Sequence, residues 1–190
     1  AGGDHLIFIN GTTGGEAAFA ALDPDRCQLD FYTSGSTGMP KRVPKSLGQI
    51  EDELVVLDET WGAQLTGAAT LGTVSHQHIF GLYFKCLLPL CEGRLFFPET
   101  FEIWEELLAA APPGACFVSS PAHLTRIPPM DPLPKERAAP VIFTAGGPLP
   151  FDAAQASAAA FGPLPTEVYG STETGGVAHR QQRDPTTPFT

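Results

Sequence analysis

The sequence predicts an α/β fold in which a mostly parallel sheet is flanked by helices. Short apolar runs alternate with segments whose apolar residues recur every three or four positions, the two periods expected of strands and helices. Within the runs the apolar residues are nearly continuous rather than alternating, as in strands covered on both faces. Glycine and proline separate the elements, and polar, glycine-rich stretches follow several strands.

Taken in order, residues 6–9 (LIFI) form a strand that ends at the Asn10-Gly11 turn, and residues 12–16 read as loop. Residues 28–32 form a strand leading into the irregular segment 33–41, TSGSTGMPK. Leu47, Ile50, Leu54, Leu57 and Trp61 then mark the stripe of an amphipathic helix over 45–60, released at Gly62. Residues 68–74 read as a strand, and 80–88 as a helix stopped by Pro89. A short strand at 94–97 precedes a helix over 101–111 that ends at Pro112-Pro113. Residues 115–119 are a strand, and 122–127 a short helix meeting Pro128. The charged, proline-containing stretch 130–139 is a surface loop. Residues 141–144 are a strand, 151–161 an alanine-rich helix and 166–169 a strand. The connections are expected to be right-handed crossovers.

With 190 residues the chain can build one substantial core or two modest subdomains. Its 11 basic against 21 acidic residues leave a net charge of −10, which argues against a nucleic-acid partner or an acidic lipid surface. One local anion site is compatible with that field. Cys27, Cys86, Cys91 and Cys116 form no CxxC pair and read as buried free thiols of a cytoplasmic protein. No apolar run reaches the ~18 residues of a membrane span. No basic region precedes residues 6–9, so no secretory leader is expected there, and the recorded chain is expected to begin inside a larger protein.

Open α/β sheets bind ligands outside the carboxyl ends of their strands. Segments 33–41, 145–148 and 170–175 all fall at such ends and are expected to line one crevice. In the first, Gly35 and Gly38 let backbone amides approach an anion, while Thr33, Ser34, Ser36 and Thr37 add hydroxyl donors. Lys41, Arg42 and Lys45 add three cations near the expected start of the next helix. Basic side chains are unfavourable there unless an anion is bound. The spacing is not GxxxxGK[ST], because Gly35 lies only six residues before Lys41 and Arg42 follows the lysine. Nor does any serine sit in a GxSxG elbow. A flexible Ser/Gly surface loop is the alternative reading.

In VYGSTETG, residues 168–175, Thr172 can donate to a phosphate and Glu173 can hold a divalent cation as a hard oxygen ligand, unless the segment is only a capped turn. The Gly146-Gly147-Pro148 break is a turn between strand and helix. His76 and His78 could begin a metal site, but no third ligand accompanies them.

Residues 32–41 closely resemble the phosphate-binding signature of the adenylate-forming superfamily: acyl- and aryl-CoA synthetases, adenylation domains of non-ribosomal peptide synthetases, and luciferases. Ser34, Gly35, Ser36, Thr37, Gly38 and Lys41 match, and Thr33 leads into them. Arg42 stands where many members carry glycine, which implies a stiffer exit or an extra phosphate contact. Residues 168–175 are similar to the family's second nucleotide motif. The resemblance implies that Tyr169 stacks on adenine, with Gly170 beside it, that Thr172 contacts the α-phosphate, and that Glu173 binds Mg²⁺. It further implies that Gly146, Gly147 and Pro148 border the nucleotide. His78, Phe80, Gly81, Ala145 and Gly146 would border the acid, with Lys41, Thr172 and Glu173 acting in catalysis.

The implied reaction joins a carboxylic acid to AMP from ATP, releases pyrophosphate, and passes the acyl group to CoA or to the phosphopantetheine of an acyl carrier protein. A carboxylate is already ionised at neutral pH, so no general base is required. A phosphotransferase with a similar loop, or a non-catalytic nucleotide-binding module, is the competing reading. The resemblance also makes residues 1–190 a partial N-terminal adenylation domain. Within it, 1–62 hold the phosphate loop and the following helix, 63–176 an α/β subdomain and 177–190 a truncated tail. Asp184 follows Glu173 by only 11 residues, too soon for the family's ribose-binding aspartate. That residue and the small C-terminal domain with its lysine are expected beyond Thr190, leaving the isolated chain with weak or no turnover.

Overall fold

A computed structural model describes residues 21–33 and 39–190. The strand expected at 6–9, the loop at 12–16 and the cradle residues Ser34, Gly35, Ser36, Thr37 and Gly38 lie outside the described residues. The chain enters through an antiparallel ribbon of β1 (Gln28–Thr33) and β2 (Lys41–Ser46). β2 departs from the expected helix start. In the order KRVPKS, Val43 and Lys45 point inward and their neighbours outward, the two-residue period of a strand.

Helix α1 (Leu47–Leu65) therefore begins later than expected. Ser46 caps it, exchanging hydrogen bonds with Gln49 in both directions at 3.1 and 3.0 Å. It also runs past Gly62, because the stripe of Ile50, Leu54, Leu57 and Trp61 continues to buried Leu65. The helix ends before Gly67, whose φ of +74° suits a residue without a Cβ.

The main sheet has the order β3 (Thr70–Gly72), β4 (Cys116–Ser119), β5 (Ile142–Thr144), β6 (Thr166–Ser171) and β7 (Gly175–Arg180). The first four strands are parallel and β7 is antiparallel to β6. The expected strand at 94–97 shrinks to a parallel bridge between Phe96 and Thr70, with backbone bonds from Thr70 to Leu95 and from Phe97 to Thr70. The expected tail contributes β7 instead. Arg180 grips buried Glu167 with bonds of 2.8 and 3.2 Å, and the Thr190 and His179 backbones exchange two bonds of 3.0 Å. The expected segment boundaries at 62 and 176 fall inside α1 and β7 respectively.

After β3 the chain forms α2 (Ile79–Gly81), a π-helical segment (Leu82–Leu87) and α3 (Leu88–Cys91) without interruption. Pro89 does not stop this helix as expected. The wider turn ahead of it, with Leu88 N–H donating to Tyr83 O, accommodates a residue that lacks an N–H. Helix α4 (Trp104–Ala110) starts after its expected position because the Phe101 N–H is already bonded to Gly72 O. Helix α5 (Pro121–Leu124) is one turn long, and residues 130–139 contain a 3₁₀ turn (Lys135–Arg137). Helix α6 (Phe151–Phe161) has the expected bounds.

Alternate residues of the central strands feed two cores. Leu71, Phe117 and Ile142 pack with α4 and α6 around Trp104 and Phe161. Cys116, Val118 and Phe143 pack on the other face with α1, Tyr83 and Phe84. Burial on both faces explains why these strands lack alternation. Of the four free thiols only Cys116 is buried, against the expectation for all four, and burial pushes it up to about 12. None of the described helices is long and apolar enough to cross a membrane.

Trp61 joins α1 to the sheet, with ring centroids 5.8 Å from Phe84, 5.1 Å from Phe143 and 5.1 Å from His179. Trp61→Ala is expected to cost about 3–5 kcal/mol in urea unfolding, the usual result of emptying a large buried aromatic site. A loss below about 1 kcal/mol would mean that Trp61 does not anchor the helix.

Candidate active site

A cavity of about 760 Å³ opens at the carboxyl ends of the parallel strands. Thr33 at the end of β1 lines it, as do Ala145, Gly146 and Gly147 after β5, and Gly170 and Thr172 at the end of β6. Segments 145–148 and 170–175 thus meet in one crevice, and of segment 33–41 Thr33 reaches it among the described residues. His78, Phe80 and Gly81 form another wall, continued by Ile79, Tyr83 and Phe84. His78 precedes α2, and its carbonyl accepts the Leu82 N–H at 2.9 Å. Phe31, Val74, Pro121, Ala122 and Val168 complete a largely apolar interior.

Pro148 and Tyr169 are not part of the wall. Tyr169 is exposed, with its ring 5.7 Å from Phe189, over which the Arg180 guanidinium lies at 4.4 Å. His76 belongs to a separate cavity of about 110 Å³, with Lys85 and Cys86. Lys85 is buried, and its ammonium donates to Val74 O at 3.2 Å and Thr100 Oγ1 at 3.1 Å. Burial lowers its pKa.

Beside the cavity, Lys41 and Glu173 meet at 2.6 Å although they are 132 residues apart. The Lys41 ammonium, followed by backbone donation, holds the Glu173 carboxyl below the usual glutamate range. A depressed carboxyl keeps its charge, and its contribution to the fold, until pH falls through the lowered value. Arg42 pairs with Asp30 across the ribbon at 2.8 Å, which ties down the exit from the phosphate segment. Among the described residues no three His, Cys, Asp or Glu side chains cluster as a metal cage. Glu173 thus offers a single hard oxygen, a donor set suited to an ion that takes its other ligands from phosphate and water.

Two further side chains reach the site: Lys45, which the sequence offers only as one of three cations beside the phosphate segment, and Glu53, which no motif marks. Lys45 is only 7% exposed, and its ammonium reaches Glu173 O at 3.4 Å. Its burial follows the two-residue period of β2, where the sequence leads one to expect a helix start instead. Glu53 lines the cavity and accepts the Gly176 N–H at 2.8 Å. Its sign was a carboxylate three residues from Ile50 and four from Leu57, at the edge of the apolar stripe. Burial, reinforced by the Glu53 charge, raises the nearby Tyr83 phenol, whose oxygen has no hydrogen-bond partner among the described residues.

Fold and cleft together define an α/β domain with its cavity at the ends of parallel strands, where open α/β sheets bind ligands. The chain belongs to the AMP-binding enzyme family, whose profile matches residues 9–189. It is 33% identical over 175 residues to a 4-coumarate–CoA ligase of Rhodobacter capsulatus, covering 90% of this chain and 43% of that protein. ATP-bound MatB from Rhodopseudomonas palustris superposes with a TM-score of 0.72 at 22% identity, over 90% of this chain and 35% of that one. A malonyl-CoA ligase with methylmalonyl-CoA and AMP bound gives 0.72 at 26% identity, over 88% and 37%. VinN in complex with L-aspartate gives 0.69 at 22% identity, over 87% and 42%. The chain thus spans less than half the length of each of these proteins.

Lys41→Met is expected to move the Glu173 titration, followed by carbon-13 NMR of the side-chain carboxyls, up towards the ordinary glutamate range. An unmoved titration would mean that Lys41 does not govern this charge.

Proposed function

We infer that the chain forms the nucleotide- and acid-binding region of an enzyme that activates a carboxylic acid as its acyl-adenylate. The observation that carries this reading is the Lys41–Glu173 pair, which joins the end of the phosphate segment to the β6–β7 turn beside the large cavity. Membership of the AMP-binding enzyme family supports it.

In the first step a carboxylate oxygen attacks the α-phosphorus of ATP in line. The new C–O–P linkage forms as the bond to the β-phosphate oxygen breaks, and pyrophosphate leaves. An anion approaches a polyanion, so the main demand on the protein is fixed positive charge and oriented donors. Lys41 supplies the charge on the pyrophosphate side, together with the amides and hydroxyls of the phosphate segment. Thr172 offers a hydroxyl at the α-phosphate, and Mg²⁺ on Glu173 would neutralise phosphate charge. His78, Phe80, Gly81, Ala145 and Gly146 border the acid. Gly147 borders the adenine end; Tyr169 and Pro148 lie outside the cavity wall, and Tyr169 would have to turn from Phe189 to stack on the base. The aromatic and aliphatic wall, and the relative named for 4-coumarate, support an acid with an apolar body. In the second step the thiol of CoA or of a carrier-protein phosphopantetheine attacks the acyl carbon, and AMP departs.

Acid-dependent ATP–pyrophosphate exchange by the full-length protein, screened over a panel of carboxylic acids, tests the reading. Lys41→Ala is expected to lower kcat/KM about 100-fold, the scale of losing one preorganised transition-state contact. Glu173→Gln is expected to raise the Mg²⁺ requirement roughly tenfold. Unchanged MgATP dependence in both variants would reject the assigned roles. Release of ADP in place of AMP would indicate a phosphotransferase, and MgATP binding without exchange a non-catalytic module.

A further inference from the structure

The turn that carries Thr172 and Glu173 is gripped from α1 by a residue to which the adenylation reading gives no task. One oxygen of Glu53 accepts the Gly176 N–H at 2.8 Å, across 123 residues of sequence. The rest of the carboxylate lies against Gly175, whose φ is +72°. A Cβ at Gly175 would run into that carboxylate, so the backbone and Glu53 occupy adjoining space with nothing between them. The grip is therefore both a hydrogen bond and a close packing contact.

The same turn is held from β2, where Lys45 reaches Glu173 O and Lys41 reaches the Glu173 carboxylate. Ser171 and Thr174 close it internally, each backbone N–H donating to the other's hydroxyl at 3.1 and 3.2 Å. Without Glu53 the far side of the turn, at Gly175 and Gly176, loses its anchor to α1. Two adjacent glycines there leave the backbone more freedom than any other pair. A carboxylate in the wall of a cleft that receives phosphates is electrostatically adverse unless it serves a purpose.

We propose that Glu53 is a positioning residue: by holding the Gly175-Gly176 backbone it fixes the turn so that Thr172 and Glu173 face the nucleotide. Although Glu53 also borders the cavity, its task in this proposal is exerted through the turn. The proposal rests on the adenylation reading for the identity of the ligand, and on this chain's own contacts for the geometry.

The test is made in the full-length enzyme, with exchange by the unsubstituted protein as the control. If that control shows no acid-dependent exchange, the adenylation reading fails, and Glu53 is judged on MgATP binding measured by calorimetry. Glu53→Ala is expected to raise the KM or Kd for MgATP about tenfold, the scale of one lost hydrogen bond. The KM for the acid should move less than about twofold, and the thermal midpoint should fall by no more than about 4 °C, the scale of one lost hydrogen bond. Glu53→Gln keeps an acceptor for Gly176 and should restore most of the loss. Should Glu53→Ala fail to fold, Glu53→Asp, one methylene too short to reach Gly176, must give the same MgATP-selective defect. An unaltered MgATP constant, or a defect confined to the acid or to stability, would overturn the proposal.

Discussion

With a net charge of −10, the chain can offer a local anion site only if its few cations are concentrated and held still. Here the holding is done by geometry. Lys41 and Lys45 lie four residues apart on one strand and reach the same turn, one through the Glu173 carboxylate and the other through its carbonyl. Lys45 is nearly removed from water, and taking an ammonium out of solvent is costly. The Glu173 carbonyl, as acceptor, offsets part of that cost. The consequence is a turn whose position is coupled to the ribbon on which the phosphate segment is mounted.

That coupling depends in turn on the packing beneath it. Helix α1 follows β2 directly, and its apolar stripe is pinned to the sheet through Trp61, Phe84 and Phe143. Ribbon, helix and β6–β7 turn therefore cannot shift independently without disturbing a close-packed aromatic cluster. The opposite core, around Trp104, Phe117 and Phe161, supports the sheet from the other side and has no residue in the cavity wall. One face of the sheet is given to the ligand and the other to stability.

Much of this was legible in the residues. The strands around Phe117, Phe143 and Val168, and the bounds of α6, followed from apolar continuity and from turn residues. Segments 145–147 and 170–172 revealed themselves because glycines and hydroxyls at strand ends have few other uses. Other features were hidden for physical reasons. Gly62 read as a helix end, yet packing of Trp61 and Leu65 outweighs the modest cost of one glycine. Pro89 read as a stop because a widened turn leaves no mark in composition. β2 was masked by its charges, of which the inward one, Lys45, has its partner far along the chain. Glu53 was invisible as a site residue because its contact, Gly176, is a backbone group that any sequence possesses.

The two margins of the main sheet bear on how this protein behaves in crowded solution. The segment around Phe96 runs along β3, and the Thr190 backbone pairs with β7 at His179, so bonding groups at either side are already engaged within the chain. Bare strand margins recruit other chains into ladders and thence into aggregates. A fold with such short strands and part-covered flanks offers little template for that growth, and its excess of acidic side chains adds mutual repulsion between molecules.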